Sequence, residues 1–328
     1  MNRTMVMQTR DLVRSFPIGR GQKVHAVNGV SLDIAAGETV ALVGESGCGK
    51  SSFARLIMAL DKPDSGSAQL MGQSLTTLRG SKLHAYRKMV QMIFQDPTSS
   101  LDPRWTAAAI VREPLDNFRI GTPEDRRARV LDLLERVGLG AHYSERYPHE
   151  MSGGQRQRLG IARALALEPK LIVADEPVSA LDVSIRAQVI NLLCDLRDEM
   201  NLSVLFISHD IGVVAHVSDR IAVMYLGRIV ETGKTYDVLN APKHPYTKGL
   251  LDAVPRPHPL QRRERAPLDG DPPSPINLPA GCAFRDRCPV AMDICSRITP
   301  ELKPDVDGRI VACHQAEFAT EKPEHDHV

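Results

Sequence analysis

Residues 44–51, Gly44, Glu45, Ser46, Gly47, Cys48, Gly49, Lys50 and Ser51, fit the pattern G-x-x-x-x-G-K-[ST]. Each residue type in that pattern has a use on a phosphate chain. Glycines let backbone N–H groups converge on phosphate oxygens with no Cβ in the way. A lysine at position 50 can pair with β- and γ-phosphates, and the Ser51 hydroxyl can ligate Mg²⁺; Ser52 continues the run. The loop reads as a site for a nucleoside triphosphate, ATP in the first instance. The bland alternative is a flexible glycine turn.

Two further groups could serve the same chemistry. Leu171 to Pro177 is an apolar run ending in two carboxylates, Asp175 and Glu176. Asp175 is placed to hold the metal, and Glu176, one residue on, to position and activate an attacking water. Upstream, Ser152, Gly153, Gly154 and Gln155 open a helical pattern that runs to Leu167. Ser152 is a natural N-cap, and glycines beside it expose N–H groups to an anion at a helix N-terminus. An acidic strand end and a capped surface helix are the competing structural readings.

These groups need a scaffold that brings strand ends together. The sequence from 27 to 34 alternates apolar and polar residues as a half-buried strand does, residues 35–37 make a turn, and residues 39–43 are a short continuous apolar run suited to a fully buried strand. After the loop, Phe53, Leu56, Ile57 and Leu60 recur with helical spacing. Residues 89–94, 171–174 and 203–207 are further buried-strand candidates. Residues 105–145 read as mostly helical, 128–137 most clearly, and 185–199 reads as a helix. Strands alternating with helices imply an α/β fold with a mainly parallel sheet, its ligand crevice at the strands' C-terminal ends. The chain has 41 Lys+Arg against 40 Asp+Glu, which argues against a broad basic face for nucleic acid. No apolar run approaches 18 residues and the N-terminus has no apolar signal core, so the chain is read as neither membrane-spanning nor exported.

With the loop and the Asp175-Glu176 pair in order, residues 151–155 closely resemble the signature segment of ABC-type ATPases, with Met151 in place of the usual leucine at a packing position. The resemblance extends to Gln95 as the Q-loop glutamine and a magnesium contact, Ser179 to Asp182 as the D-loop, and His209, 34 positions after Asp175, as the switch histidine. It implies a P-loop core of RecA type with an antiparallel β subdomain and a helical subdomain at about 96–158. It also implies a head-to-tail dimer, in which ATP lies between one chain's phosphate loop and the other's Ser152–Gln155. Phe16, with His25 as the alternative, is the candidate for stacking on adenine; a surface aromatic beside a strand is an equal account of Phe16. Only 56 residues separate Gln95 from Ser152 and there is one set of motifs. That fits a transporter motor better than the soluble relatives of DNA repair or translation. Residues 95–105 would form part of the groove where membrane subunits dock. Trp105 is either a contact there or a local core residue.

Composition breaks near residue 240: residues 241–328 hold 14 of the 23 prolines and four of the six cysteines. The boundary expected is an ATPase domain over 1–240 and a small Pro/Cys-rich domain over 241–328. His244-Pro245-Tyr246-Thr247, with the proline- and cysteine-rich tract behind it, closely resembles the C-terminal domain of dipeptide and oligopeptide importer ATPases, their F-type members above all. That resemblance implies peptide import, with nickel or sugar import as alternatives. It implies a second, different ATPase as heterodimer partner, two transmembrane permeases and an extracytoplasmic binding protein. The expected location is peripheral, at the cytoplasmic face of a bacterial inner membrane.

Cys282, Cys288, Cys295 and Cys313 are spaced C-x5-C-x6-C-x17-C. Four thiolates suit zinc or a [4Fe–4S] cluster, but zinc sites usually contain a close pair, absent here. The family's association of such cysteines with [4Fe–4S] makes that the expectation, with metal-free cysteines in a small core as the other reading. Arg285 and Arg287 would offset the charge of such a cluster or be solvated. Cys48 sits where a helix N-terminus tends to lower a thiol pKa, with a small tolerated side chain as the simpler account. Cys194 reads as core, and His325 and His327 as part of a charged tail.

Overall fold

The structure, a computed structural model, describes residues 4–19, 21–253, 270–307 and 309–316. His325, His327 and much of the proline-rich tract lie outside the described residues. The chain opens with two long strands, β1 (Met5–Gly19) and β2 (Gln22–Ala35), followed by β3 (Thr39–Val43), α1 (Lys50–Ile57), β4 (Ser65–Leu70) and β5 (Gln73–Ser74). Next come α2 (Gly80–Met89), β6 (Val90–Ile93), and the helical segment α3 (Pro97–Ser100), α4 (Ala107–Asn117), α5 (Pro123–Arg136) and α6 (Gly153–Leu165). The core resumes with β7 (Leu171–Asp175), α7 (Val183–Met200), β8 (Ser203–Ile207), α8 (Ile211–Val217), β9 (Arg220–Tyr225) and β10 (Arg228–Lys234). Helices α9 (Thr235–Asn240) and α10 (Pro245–Asp252) and short strands β11 (Lys303–Pro304) and β12 (Ile310–Val311) complete the described chain.

Two sheets result: an antiparallel one, β2-β1-β4-β5, and a mixed one, β11-β12-β10-β9-β3-β8-β7-β6. From β9 to β6 neighbouring strands run parallel. The continuous apolar runs have a direct cause. Ala41 and Val43 of β3 face one core, with the helical segment, while Val40 and Leu42 face another, with β1, β2 and α1. Likewise Ile172 and Ala174 of β7 face the first core, Leu171 and Val173 the second. A strand buried on both faces has no position for a polar residue until it ends.

The helical segment is locally encoded. Thr122 and Asp125 form a reciprocal capping box on α5, with Pro123 at the first helical position. Val130, Leu133, Leu134 and then Val137 place a buried stripe at i, i+3, i+4 and i+7 against α4 and α6.

Residues beyond 240 join the main sheet: β12 pairs with β10 through Glu231↔Val311 and Thr232↔Ile310. Arg309 donates to the carbonyls of Asp237 and Ala241, closing the end of α9. The Glu231 carboxylate, fully buried, accepts the amides of Lys243 and His244 at 2.9 Å each. Tyr225, at the end of β9, packs against Tyr246 and Phe284 with ring centroids 4.6 and 5.3 Å away, and His244 lies 5.8 Å from Phe284. Such aromatic pairs contribute about 0.5–1.5 kcal/mol each beyond the area they bury.

Candidate functional site

The phosphate loop joins β3 to α1. Two of its glycines are required by space. A Cβ at Gly44 would stand 2.2 Å from the Met224 carbonyl oxygen, and one at Gly49 would stand 2.0 Å from that of Ala26. Gly49 also has φ 109°, a conformation L-residues avoid. Lys50 is 6% exposed, its ammonium donating to the carbonyls of Gly44 (2.8 Å) and Glu45 (3.0 Å) inside the loop. Cys48 is buried, and burial pushes its thiol pKa up against the nearby Lys50 charge. The helix-terminus lowering considered for it does not prevail, because desolvation outweighs it.

Parallel pairing of β3, β8, β7 and β6 brings four candidate side chains beside this loop. Asp175, 9% exposed, has its carboxyl pushed up by burial first, with a Ser51 hydrogen bond and the Lys50 charge acting against it and Glu176 acting with it. Glu176 has φ 46°, and its N–H donates to Ile207 O on β8 at 2.9 Å. This left-handed step turns the strand end. The Glu176 carboxylate then accepts from Gln95 Nε2 at 3.3 Å and lies 3.1 Å from His209 Nδ1. Gln95 and His209 are exposed at the mouth, and Glu176 is partly shielded between them.

Ser152 caps α6 through the expected reciprocal box: its hydroxyl accepts from Gln155 N (3.3 Å) and Gln155 Oε1 accepts from Ser152 N (2.9 Å). The Gln155 amide also donates to Tyr143 OH at 2.7 Å, a partner the sequence did not suggest. Met151 is buried in the core, as a packing position should be. Gly154 is required by packing, since a Cβ there would meet Ile185 Cγ2 of α7 at 2.4 Å. Asp182 stands exposed at the start of α7, and Gly153 lies against Leu181.

Phe16 is half-buried in β1 with the Arg14 guanidinium 4.7 Å from its ring centre. His25 shares a hydrogen bond with Ser15 Oγ (3.2 Å). Trp105 is 41% exposed, so it is not a core residue, and Phe94 is equally exposed nearby in sequence. Cys194 is half-buried against the main core.

The cysteine cluster is a correction. Cys282, Cys288, Cys295 and Cys313 are unpaired, and among the described residues no group of three or more His, Cys, Asp or Glu side chains could hold a metal ion. The [4Fe–4S] assignment does not stand. Burial first, and then repulsion from neighbouring cysteines of the set, pushes the thiols of Cys282, Cys288 and Cys313 up. The segment is held by other means. Cys282 N donates to Cys295 O at 2.8 Å, Arg285 donates to the carbonyls of Ala280 and Ser296, and Phe284 is buried in the main core. Arg287 forms a bidentate pair with Glu45 of the phosphate loop, 2.9 Å on each arm. That contact was not anticipated.

Fold and site together define an ATP-binding cassette. Two family models match the chain: "ABC transporter" over residues 27–179 and "Oligopeptide/dipeptide transporter, C-terminal region" over residues 230–295. The chain is 49% identical to the oligopeptide transport ATP-binding protein AppF of Bacillus subtilis, over 95% of this chain and 98% of that one. It is 45% identical to the dipeptide transport ATP-binding protein DppF of Escherichia coli, over 97% and 96%. A solved dimer of the ATP-binding cassette MJ0796, in a post-hydrolysis state with ADP and Pi, aligns with TM-score 0.64 at 32% identity, over 70% of this chain and 98% of that chain. The chain belongs to the ABC transporter ATP-binding proteins, in the branch that carries the oligopeptide/dipeptide C-terminal region. It is an ABC-type ATPase. No helix among the described residues is long and apolar enough to cross a membrane.

Proposed function

We propose that this ATPase energises the import of dipeptides or oligopeptides. The observation that carries its chemistry is the Glu176 carboxylate held between Gln95 and His209 at the end of β7, beside the phosphate loop. Lys50, now occupied by loop carbonyls, is within the loop that would receive β- and γ-phosphates. Ser51, Asp175 and Gln95 offer hydroxyl, carboxylate and amide oxygens, the hard donors that suit Mg²⁺, and the Ser51–Asp175 hydrogen bond already sets two of them together. When bound there, Mg²⁺ supplies neutralisation of phosphate charge. Glu176 accepts a proton from water, Gln95 fixes the carboxylate's orientation, and His209, on the other side, orients it toward the γ-phosphate. The capped N-terminus of α6, with Gly153 and Gly154, is the surface that would close over a partner chain's nucleotide, and Asp182 lies at the same face.

The branch of the family supports peptide as the solute class and permeases as partners. The finer assembly follows from it: two different ATPases, two permeases and an extracytoplasmic binding protein, with this chain peripheral on the cytoplasmic face of a bacterial inner membrane. Exposed Phe94 and Trp105 flank α3 and fit the groove where permease helices dock. Affinity purification of the tagged full chain from its native membrane tests this. Two permeases and a second ATPase should copurify, and deletion of the gene should abolish uptake of labelled peptides. A lone homodimer with DNA-stimulated hydrolysis would overturn the reading.

A further inference from the structure

Glu45 is held at three points, two of them by residues beyond position 240. Its carbonyl accepts from Lys50 (3.0 Å) and from Cys48 N (3.3 Å), its N–H donates to Tyr246 OH (2.9 Å), and its carboxylate accepts both arms of Arg287 (2.9 Å each). The Arg287 side chain is 5% exposed and that of Glu45 27%, so the pair is largely shielded from water. Arg287 also donates to Tyr225 OH at 3.5 Å, and its guanidinium lies 5.9 Å from the rings of both Tyr225 and Phe284. Tyr246, fully buried, is fixed by the aromatic cluster and by the His244 cap of α10.

Two physical consequences follow. A carboxylate in a phosphate-binding loop repels the polyanion the loop is built to hold, unless a cation neutralises it. Bidentate guanidinium–carboxylate pairing supplies that neutralisation with fixed geometry. When Lys50 leaves the carbonyls of Gly44 and Glu45 for phosphate, the Glu45 carbonyl keeps the Cys48 N–H (3.3 Å), while its N–H and carboxylate stay held by Tyr246 and Arg287. We propose that Arg287 is a positioning residue for the phosphate loop: it neutralises Glu45 and, with Tyr246, lets the C-terminal region set the affinity for MgATP. This rests on the reading of residues 44–51 as the ATP loop.

The test is MgATP binding by the full chain in a Glu176→Gln background, measured by calorimetry. Arg287→Gln should weaken binding roughly tenfold, the scale expected for losing a shielded charge pair. Glu45→Gln should stay within about threefold of the parent. The double variant Glu45→Gln/Arg287→Gln should bind like Glu45→Gln alone, because no orphan carboxylate is left. Arg287→Lys should fall between, keeping charge without the fork. With Glu176 restored, the loss should fall on KM for ATP, not on kcat. An Arg287→Gln affinity within about twofold of the parent would overturn the proposal, and so would a double variant as weak as Arg287→Gln. Should Arg287→Gln fail to fold, the same comparison between Arg287→Lys and Glu45→Gln/Arg287→Lys decides it by the same criterion. Lys50→Ala separates the two readings. If it binds MgATP like the parent, the loop reading fails; if it does not bind while Arg287→Gln is unaffected, only the present inference fails.

Discussion

His244 offers a perturbation whose size can be worked out. It is 1% exposed, its Nδ1 accepts from Tyr246 N at 3.0 Å, and its ring is also hydrogen-bonded to the Ala312 backbone. The acceptor role of Nδ1 requires the neutral ring. Burial holds its pKa down from 6.5 to about 4. The unfolded chain takes up a proton near pH 6.5 that the folded chain refuses, so stability is complete above 6.5 and falls as pH drops from 6.5 to about 4. The full loss is about 3 kcal/mol, and between pH 7.5 and pH 5 it is about 2 kcal/mol. His244→Asn isolates the effect, since an Asn Oδ1 can keep the cap on α10 while the titrating ring is gone. That variant should lose about 1–3 kcal/mol at pH 7.5 through lost packing on Phe284 and the lost bond to Ala312. Its further loss on going to pH 5 should be smaller than the wild type's by about 2 kcal/mol. Urea unfolding of both proteins at pH 7.5, 6 and 5, followed by far-UV circular dichroism, reads this difference. Parallel losses in the two proteins would refute the reasoning, because the destabilisation would then come from other groups.

Two other expectations concern the site. Glu176→Gln keeps the size of the side chain and its contact with Gln95 but cannot take a proton; ATP binding should persist while turnover falls by about 100-fold or more, read by phosphate release. Gly49→Ala should abolish nucleotide binding even where the protein folds, since its Cβ has no room beside Ala26 O; calorimetric binding close to wild type would contradict the geometry.

The phosphate loop, the Asp175-Glu176 pair and the α6 cap were legible because each is set by contiguous residues. Their strands announce themselves by being apolar on both faces, and the caps by side-chain types at fixed offsets. Strand β1 was not legible, although it is one of the longest. Its alternation breaks at Arg10 and Asp11, where Asp11 takes φ 48° and the pairing with β2 shifts between Thr9 and Leu12. The Arg287–Glu45 pair spans 242 positions, and nothing local marks either residue as the other's partner. Tyr246 stood out only as part of a family-like segment. The cysteines erred in the opposite direction. Their spacing allows approach, and the thiols do lie near enough to raise one another's pKa, but whether they form a set that can hold a metal depends on the backbone path, which spacing does not encode. Trp105 was open between core and contact, and its exposure excludes the core reading.

The pairing of β12 with β10 sets where this protein can be divided. A cut at residue 240, where composition changes, would leave the edge of β10 with bare N–H and C=O groups, a template for intermolecular pairing. The same cut would strip Glu231 of the two amides that satisfy its buried carboxylate and take Phe284 from Tyr225. The unit that can be exchanged between related transporters, or fused and truncated at the bench, is therefore the whole chain through at least Ala312.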